Sequence, residues 1–165
     1  VLDGGWNAWR NAPHSITKLM PKIEAARFTA RVKSGLARDA NSVAASLGTS
    51  GQLLLDARAP SRYRGENETL DPVAGHIPGA ANRFFQLNLD TEGKFKPAAT
   101  LKREFTDLLG STAPATVTHY CGSGVTACHN LLAMEVAGLP GSRLYPGSWS
   151  EWVADPSRPV ATGSA

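Results

Sequence analysis

The chain has 165 residues, of which 42% are hydrophobic and 19% charged, and a formal net charge of +3; this suits one globular domain with an ordinary core. No apolar run reaches membrane-spanning length, and the N-terminus lacks a basic-then-apolar signal pattern, so neither a membrane span nor a secretory leader is expected. With only two cysteines, Cys121 and Cys128, a disulfide framework is excluded and a reducing, cytoplasmic setting is the expectation.

The chain opens on Leu2-Asp3-Gly4-Gly5-Trp6-Asn7-Ala8-Trp9 and nears its end on Leu144-Tyr145-Pro146-Gly147-Ser148-Trp149-Ser150-Glu151-Trp152. An offset of 143 superposes Gly4 on Gly147, Trp6 on Trp149 and Trp9 on Trp152, and the two motifs hold all four tryptophans. Such a match reads as one structural element present twice. The second copy has a domain's length of chain before it, while the first follows only Val1, a start that suggests a fragment or a processed form. Residues 1–12 are therefore expected to be the tail of a missing or truncated N-terminal domain.

Residues 10–38 hold seven of the 17 basic residues (Arg10, Lys18, Lys22, Arg27, Arg31, Lys33, Arg38) and one acid, Glu24. That stretch is +6, while ten basic and thirteen acidic residues elsewhere leave −3 on the remainder. A basic connector on a mildly acidic domain predicts a solvated linker over 13–39, with no nucleic-acid partner.

From residue 40 the pattern alternates helix and strand. Asp39 or Asn41 can cap a short helix through Leu47. Gln52 to Leu55 closes on Asp56 as a buried parallel strand would, and Ala80-Ala81-Asn82 follows the turn Gly75-His76-Ile77-Pro78-Gly79 as a second short strand. Thr100 to Leu109 is amphipathic, with Leu101, Phe105, Leu108 and Leu109 on one face. Ala115 to Tyr120 predicts a strand, Val125 to Ala137 a helix ending at Gly138, and Arg143 to Tyr145 a last strand. The alternation implies an α/β fold with a mainly parallel sheet and helices on both faces.

The chemistry sits in Cys121-Gly122-Ser123-Gly124-Val125-Thr126-Ala127. A cysteine directly after a buried strand lies at the carboxyl end of the sheet, where open α/β folds place ligands. Two glycines let the chain curl so that successive N–H groups converge, and the following helix adds its positive end. Those donors favour a thiolate at Cys121 and would equally hold a persulfide or a leaving anion. Cysteine-loop phosphatases need an arginine six residues after the nucleophile, where this chain has Ala127. Cys121, Cys128 and His129 make no zinc set. Cys128, about two helical turns on, is expected in the core, with a resolving-thiol role as the alternative. His119, two residues before Cys121 on the same strand, faces the same side and is expected to serve the core or a partner surface.

Five motifs occur in one order: Asp56-Ala57-Arg58, Arg62-Tyr63-Arg64-Gly65, Gly75-His76-Ile77-Pro78-Gly79-Ala80, the Cys121 loop, and Gly147-Ser148-Trp149-Ser150-Glu151-Trp152. In that order they resemble two-domain rhodanese-type sulfurtransferases, above all the C-terminal domain of 3-mercaptopyruvate sulfurtransferases. The resemblance covers residues 40–160 as a rhodanese domain, leaves 161–165 as a C-terminal tail, and likens Leu2 to Trp9 to the end of an N-terminal rhodanese domain. It implies a rhodanese-like fold and ping-pong sulfur transfer from 3-mercaptopyruvate through a Cys121 persulfide, without cofactor or metal. The implied acceptor is a thiol, such as thioredoxin or a small thiol, or cyanide, and the alternatives are a thiosulfate enzyme or an inactive binding module.

Thiosulfate enzymes of this kind carry a basic pair after the cysteine, whereas Gly122-Ser123 is similar to the mercaptopyruvate enzymes. Arg62 corresponds to the arginine that grips the donor carboxylate, and its fork could do so bidentately; a plain salt bridge is the alternative, since Arg58 and Arg64 stand close by. Gly122, Ser123, Gly124, Val125 and Thr126 are the other expected substrate-binding residues. Asp56, Arg58 and His76 are expected to be structural. Glu66 to Ala74 holds no second arginine, so carboxylate binding is expected to be weaker or helped by Arg83.

Overall fold

Three successive leucines cannot face one way in a strand, so Leu53 to Leu55 must bury both faces, as a central strand does. In the computed structural model, which describes residues 1–31 and 34–164, this segment is the central strand β1 (Leu53–Asp56). Lys33 of the linker and Ala165 of the tail lie outside the described residues. Strand β1 pairs with β2 (Ala81–Asn82) on one side and with β3 (Val117–Tyr120) on the other, and β4 (Arg143–Leu144) flanks β3. All pairings are parallel, and β1 and β3 run in register from Leu53↔Val117 to Asp56↔Tyr120.

Successive side chains divide between two layers. Leu54 and Tyr120 pack with α2 (Ala40–Ala45), α3 (Pro60–Arg64) and α6 (Ser148–Trp152), through Val43, Tyr63, Trp149 and Trp152. Leu55 and Val117 pack against α4 (Ala98–Leu109) and α5 (Ala127–Val136), through Leu101, Phe105, Leu109, Ala133 and Met134. The predicted apolar face of α4 is the buried one, and Asp39 is the cap of α2, its carboxylate accepting the Ser42 N–H at 2.7 Å. The chain leaves β1 for one side of the sheet and β3 for the other. The crevice at their carboxyl ends is therefore the topological switch point, where ligands bind in open α/β folds.

Several elements differ from expectation, most by one or two residues at an end. Helix α5 begins at Ala127 rather than Val125, because residues 121–126 are spent on the loop. The short helices α3 and α6 had no periodic signal to reveal them; each is about one turn, anchored by Tyr63 or by two tryptophans. Ala161 is no free tail: it exchanges backbone hydrogen bonds with His76 at 2.8 and 3.0 Å, and Gly163 donates to the Arg64 carbonyl at 2.9 Å. Ahead of the domain, α1 (Gly5–Asn11) buries no residue, and residues 12–31 carry no helix or strand. The linker then docks on the sheet edge, where Leu36 and Arg38 bond Leu144.

Candidate active site

Strand β3 ends at Tyr120, so Cys121 is delivered to the carboxyl edge of the sheet, where its residue is 2% exposed and packs on Ala57 and Ala127. The start of α6 then fixes the loop backbone. The Cys121 N–H donates to Ser148 Oγ at 3.1 Å, and that hydroxyl donates to the Tyr145 carbonyl at 2.9 Å. The Cys121 carbonyl accepts from the Trp149 N–H at 3.0 Å, and the Gly122 carbonyl accepts from the Ser150 N–H at 3.0 Å. A trans peptide points its C=O and the next N–H in opposite directions. Anchoring those two carbonyls on α6 therefore turns the N–H groups of Gly122 and Ser123 away from it.

Among the described residues, none of the N–H groups of Gly122 to Thr126 has a protein partner. A run of consecutive unpartnered N–H groups after a cysteine is the kind of backbone that can accept an anion, and the start of α5 adds its positive end. Gly124 permits the curl. Its φ is +82°, and a Cβ there would lie 2.5 Å from the Pro146 carbonyl oxygen.

A cavity of about 390 Å³ opens over the loop, lined by Cys121, Gly122, Ser123, Val125 and Thr126 among others. Of the expected substrate-binding residues, Arg62 also lines it, while Gly124 is buried against Pro146 and does not. Ser123 and Val125 are exposed at the rim. Arg58 and Ala59 after β1, Leu70 and Asp71 from the segment after α3, Phe84 and Phe85 after β2, and Ser150 from α6 complete the wall. Sequence reasoning misses Asp71, Ser148 and Ser150; the Gly-Ser-Trp-Ser motif is a signal for the two serines, and Asp71 has none.

The arginines divide by role. Arg58 closes on Asp56 with its Nε at 3.0 Å and its Nη2 at 2.6 Å, donates to the Gly75 carbonyl at 2.6 Å, and lies over the Trp149 ring at 4.7 Å. His76 meets the Tyr63 carbonyl through Nδ1 at 2.8 Å and stacks on the Tyr63 ring. Arg83 is committed elsewhere: it pairs with Glu104 at 2.6 Å, bonds Asn88 and covers Phe105, so it offers nothing to the cavity. Cys128 corrects a second expectation. It is exposed rather than in the core, because the buried stripe of α5 is Ala127, Asn130, Ala133 and Met134 and Cys128 lies off it, and its thiol donates to the Gly124 carbonyl at 3.3 Å. His119 is fully buried, neither ring nitrogen has a partner among the described residues, and burial pushes its pKa down to about 3.

The family description "Rhodanese-like domain" matches residues 39–155. The chain belongs to the rhodanese-like domain family. This rhodanese-like domain is 49% identical over 163 residues to a Pseudomonas aeruginosa protein named "Probable 3-mercaptopyruvate sulfurtransferase", covering 99% of this chain and 57% of that one. It is 35% identical over 171 residues to the thiosulfate sulfurtransferase of Cricetulus griseus, covering 100% of this chain and 57% of that protein. Among solved structures, an anaerobic ergothioneine biosynthesis enzyme from Chlorobium limicola, in complex with trimethyl histidine, superposes with a TM-score of 0.81 at 25% identity. That match covers 99% of this chain and 41% of the other, and it speaks for the fold. The chain thus spans somewhat more than half the length of the curated relatives it matches. Among the described residues, no helix is long and apolar enough to cross a membrane.

Proposed function

We propose that this rhodanese-like domain moves a sulfur atom from 3-mercaptopyruvate through a persulfide on Cys121 to a thiol or cyanide acceptor. One observation carries the reading: Cys121 is followed by five consecutive backbone N–H groups without a partner among the described residues, with Gly122 and Ser123 rather than a basic pair next to it. Such a loop neutralises one developing anion without a second fixed cation, which suits a donor whose reacting end is uncharged. The Cys121 thiolate attacks the donor's thiol sulfur, forming an S–S bond as the donor's C–S bond breaks. The electron pair leaves on carbon as the pyruvate enolate, which takes a proton to give pyruvate. An acceptor thiolate then attacks the outer sulfur, carries it away as a persulfide, and restores the Cys121 thiolate; cyanide would give thiocyanate.

The test is pyruvate release from 3-mercaptopyruvate by the wild type and by Cys121→Ser, with the serine variant expected to lose at least about a thousandfold in rate, since removing a nucleophile removes the covalent path. Equal rates would sink the proposal. Thiosulfate is the second reading, favoured by the relatives that bear that name; a clear preference for thiosulfate with cyanide as acceptor would establish it. If neither donor adds the mass of one sulfur, about 32 Da, to the Cys121 peptide, the domain is a binding module instead. Thioredoxin or a small thiol as acceptor, and a cytoplasmic setting, belong to the same proposal.

A further inference from the structure

Arg62 is the cation that the cavity offers to a donor's carboxylate, yet most of its fork is already taken. Its Nε donates to Glu68 at 3.0 Å and its Nη2 at 2.8 and 2.9 Å, and Nη2 also reaches Asp71 at 3.2 Å. Glu68 is not free to leave. Its side chain is 2% exposed, and it accepts the backbone N–H groups of Leu70 and Asp71 as well as Arg58 Nη1. Burial alone would raise the Glu68 carboxyl, but the Leu70 N–H, the Arg62 guanidinium and the Asp71 N–H outweigh it and hold it below the usual range. What Arg62 retains is Nη1, which has no hydrogen bond among the described residues and faces Gly122, whose Cβ position would be 3.5 Å away. The bidentate grip expected from sequence is thus blocked, and a donor carboxylate meets one N–H edge.

Asp71 is placed differently from Glu68. It lines the cavity itself, and its Oδ1 accepts the Ser150 hydroxyl at 2.6 Å. That hydroxyl also lies 2.9 Å from the Gly122 carbonyl, so Asp71 is tied to the nucleophile's loop as well as to Arg62. Asp56, Glu68 and Asp71 together outnumber Arg58 and Arg62, so this ion-pair network carries a net charge of −1, with Asp71 its one acid on the cavity surface. A monoanionic donor can place its carboxylate on Arg62 Nη1 and the loop N–H groups. A dianion brings a second charge against Asp71, and Coulomb repulsion scales with ligand charge.

We propose that Asp71 is a specificity-determining residue: a fixed negative charge on the cavity wall that selects singly charged sulfur donors over dianionic ones. The inference rests on the reading of this cavity as the donor site of Cys121. The experiment compares the wild type with Asp71→Asn, which keeps the shape and the acceptor for Ser150, and with Asp71→Ala as a second variant. Protection of Cys121 from iodoacetamide is measured peptide by peptide, so that the exposed Cys128 is read separately, using pyruvate as a monoanion and sulfate as a dianion. If removing the charge tightens pyruvate protection about threefold, sulfate protection should tighten by about the square of that, roughly tenfold, and the gap should shrink at high salt. In turnover, thiosulfate kcat/KM should rise relative to 3-mercaptopyruvate. An equal change for both anions, or none in either variant, overturns the assignment. The two proposals fail separately. Wild type inactive with both donors, but with the sulfate-to-pyruvate ratio shifted by Asp71→Asn, removes the reaction and keeps the charge selection. An active wild type with an unmoved ratio removes the selection alone.

Discussion

The two tryptophan motifs share spacing and a short helix but meet opposite fates. Both fold as a short helix, α1 and α6, and at equivalent positions Gly5 and Ser148 adopt the same left-handed backbone, with φ of 57° and 54°. In α6, Trp149 and Trp152 are fully buried and their indole N–H groups donate to the Val73 and Pro159 carbonyls at 2.9 Å. In α1, Trp6 is 59% and Trp9 37% exposed, and the element is tethered by the Phe95 N–H donating to Asp3 at 2.9 Å. Local sequence therefore writes the turn, while burial depends on which surface lies opposite. The left-handed position shows the same division. Gly5 takes it without steric cost and has nothing within 4 Å of a Cβ, whereas Ser148 accepts the strain and supplies the oxygen that holds the Cys121 N–H.

The largest expected effect breaks the buried copy. Trp149→Ala should cost about 3–5 kcal/mol, the usual penalty for emptying a large aromatic site, whereas Trp6→Ala should stay within about 0.5 kcal/mol as a surface change. Urea midpoints of the two variants measure the contrast, and equal losses would mean that α1 is as well packed as α6. A smaller effect sharpens the left-handed position. Ser148→Ala should cost about 1–3 kcal/mol by leaving the Cys121 N–H unpaired. Ser148→Gly should cost less, because it also relieves about 1–2 kcal/mol of strain. Denaturation midpoints that place glycine below alanine would refute that division.

The smallest effect concerns acid beneath the buried layer. His119 is pushed down to about 3 in the fold by burial, while in the unfolded chain an imidazole titrates near 6.5. The unfolded state therefore takes up the proton first. Stability is unaffected above about pH 6.5 and falls as pH drops from there towards 3, by at most about 1.4 kcal/mol per unit for this one group. Urea midpoints followed by tryptophan emission at pH 7.5 and 5.5 should differ by about 1 kcal/mol in the wild type and by less in His119→Leu. Since neither ring nitrogen is hydrogen-bonded, the leucine should be tolerated at pH 7.5.

Much of the fold was legible because its signals are local. The leucine run of β1, the apolar stripe of α4 and the Gly-rich turn after Tyr120 each state their own conformation, and the order of the strands follows from alternation with helices. The position of Cys121 was legible for the same reason: a cysteine between a strand and two glycines lies at the carboxyl edge of the sheet. Less legible were groups whose behaviour is set by a distant partner. Arg83 was offered to the donor but Glu104, 21 residues later, claims it. Cys128 is exposed because Ala127, Asn130, Ala133 and Met134 form the buried face of α5, a phase that the apolar run from Val125 to Ala137 does not reveal. Glu68 and Asp71 carried no pattern at all, yet they take most of the Arg62 fork.

By itself, then, the sequence determined the alternating α/β order, the family motifs, the position of Cys121 and the repetition of the Gly-Trp turn. Period and turn chemistry are short-range, so they survive reading along a line. Only the tertiary structure decided which tryptophans are buried and which side of Arg62 remains free. It also decided that α6 reaches across 27 residues to hold the Cys121 N–H. Those outcomes depend on hydrogen-bond and ion-pair partners brought together by a parallel sheet, and such partners leave no periodic trace.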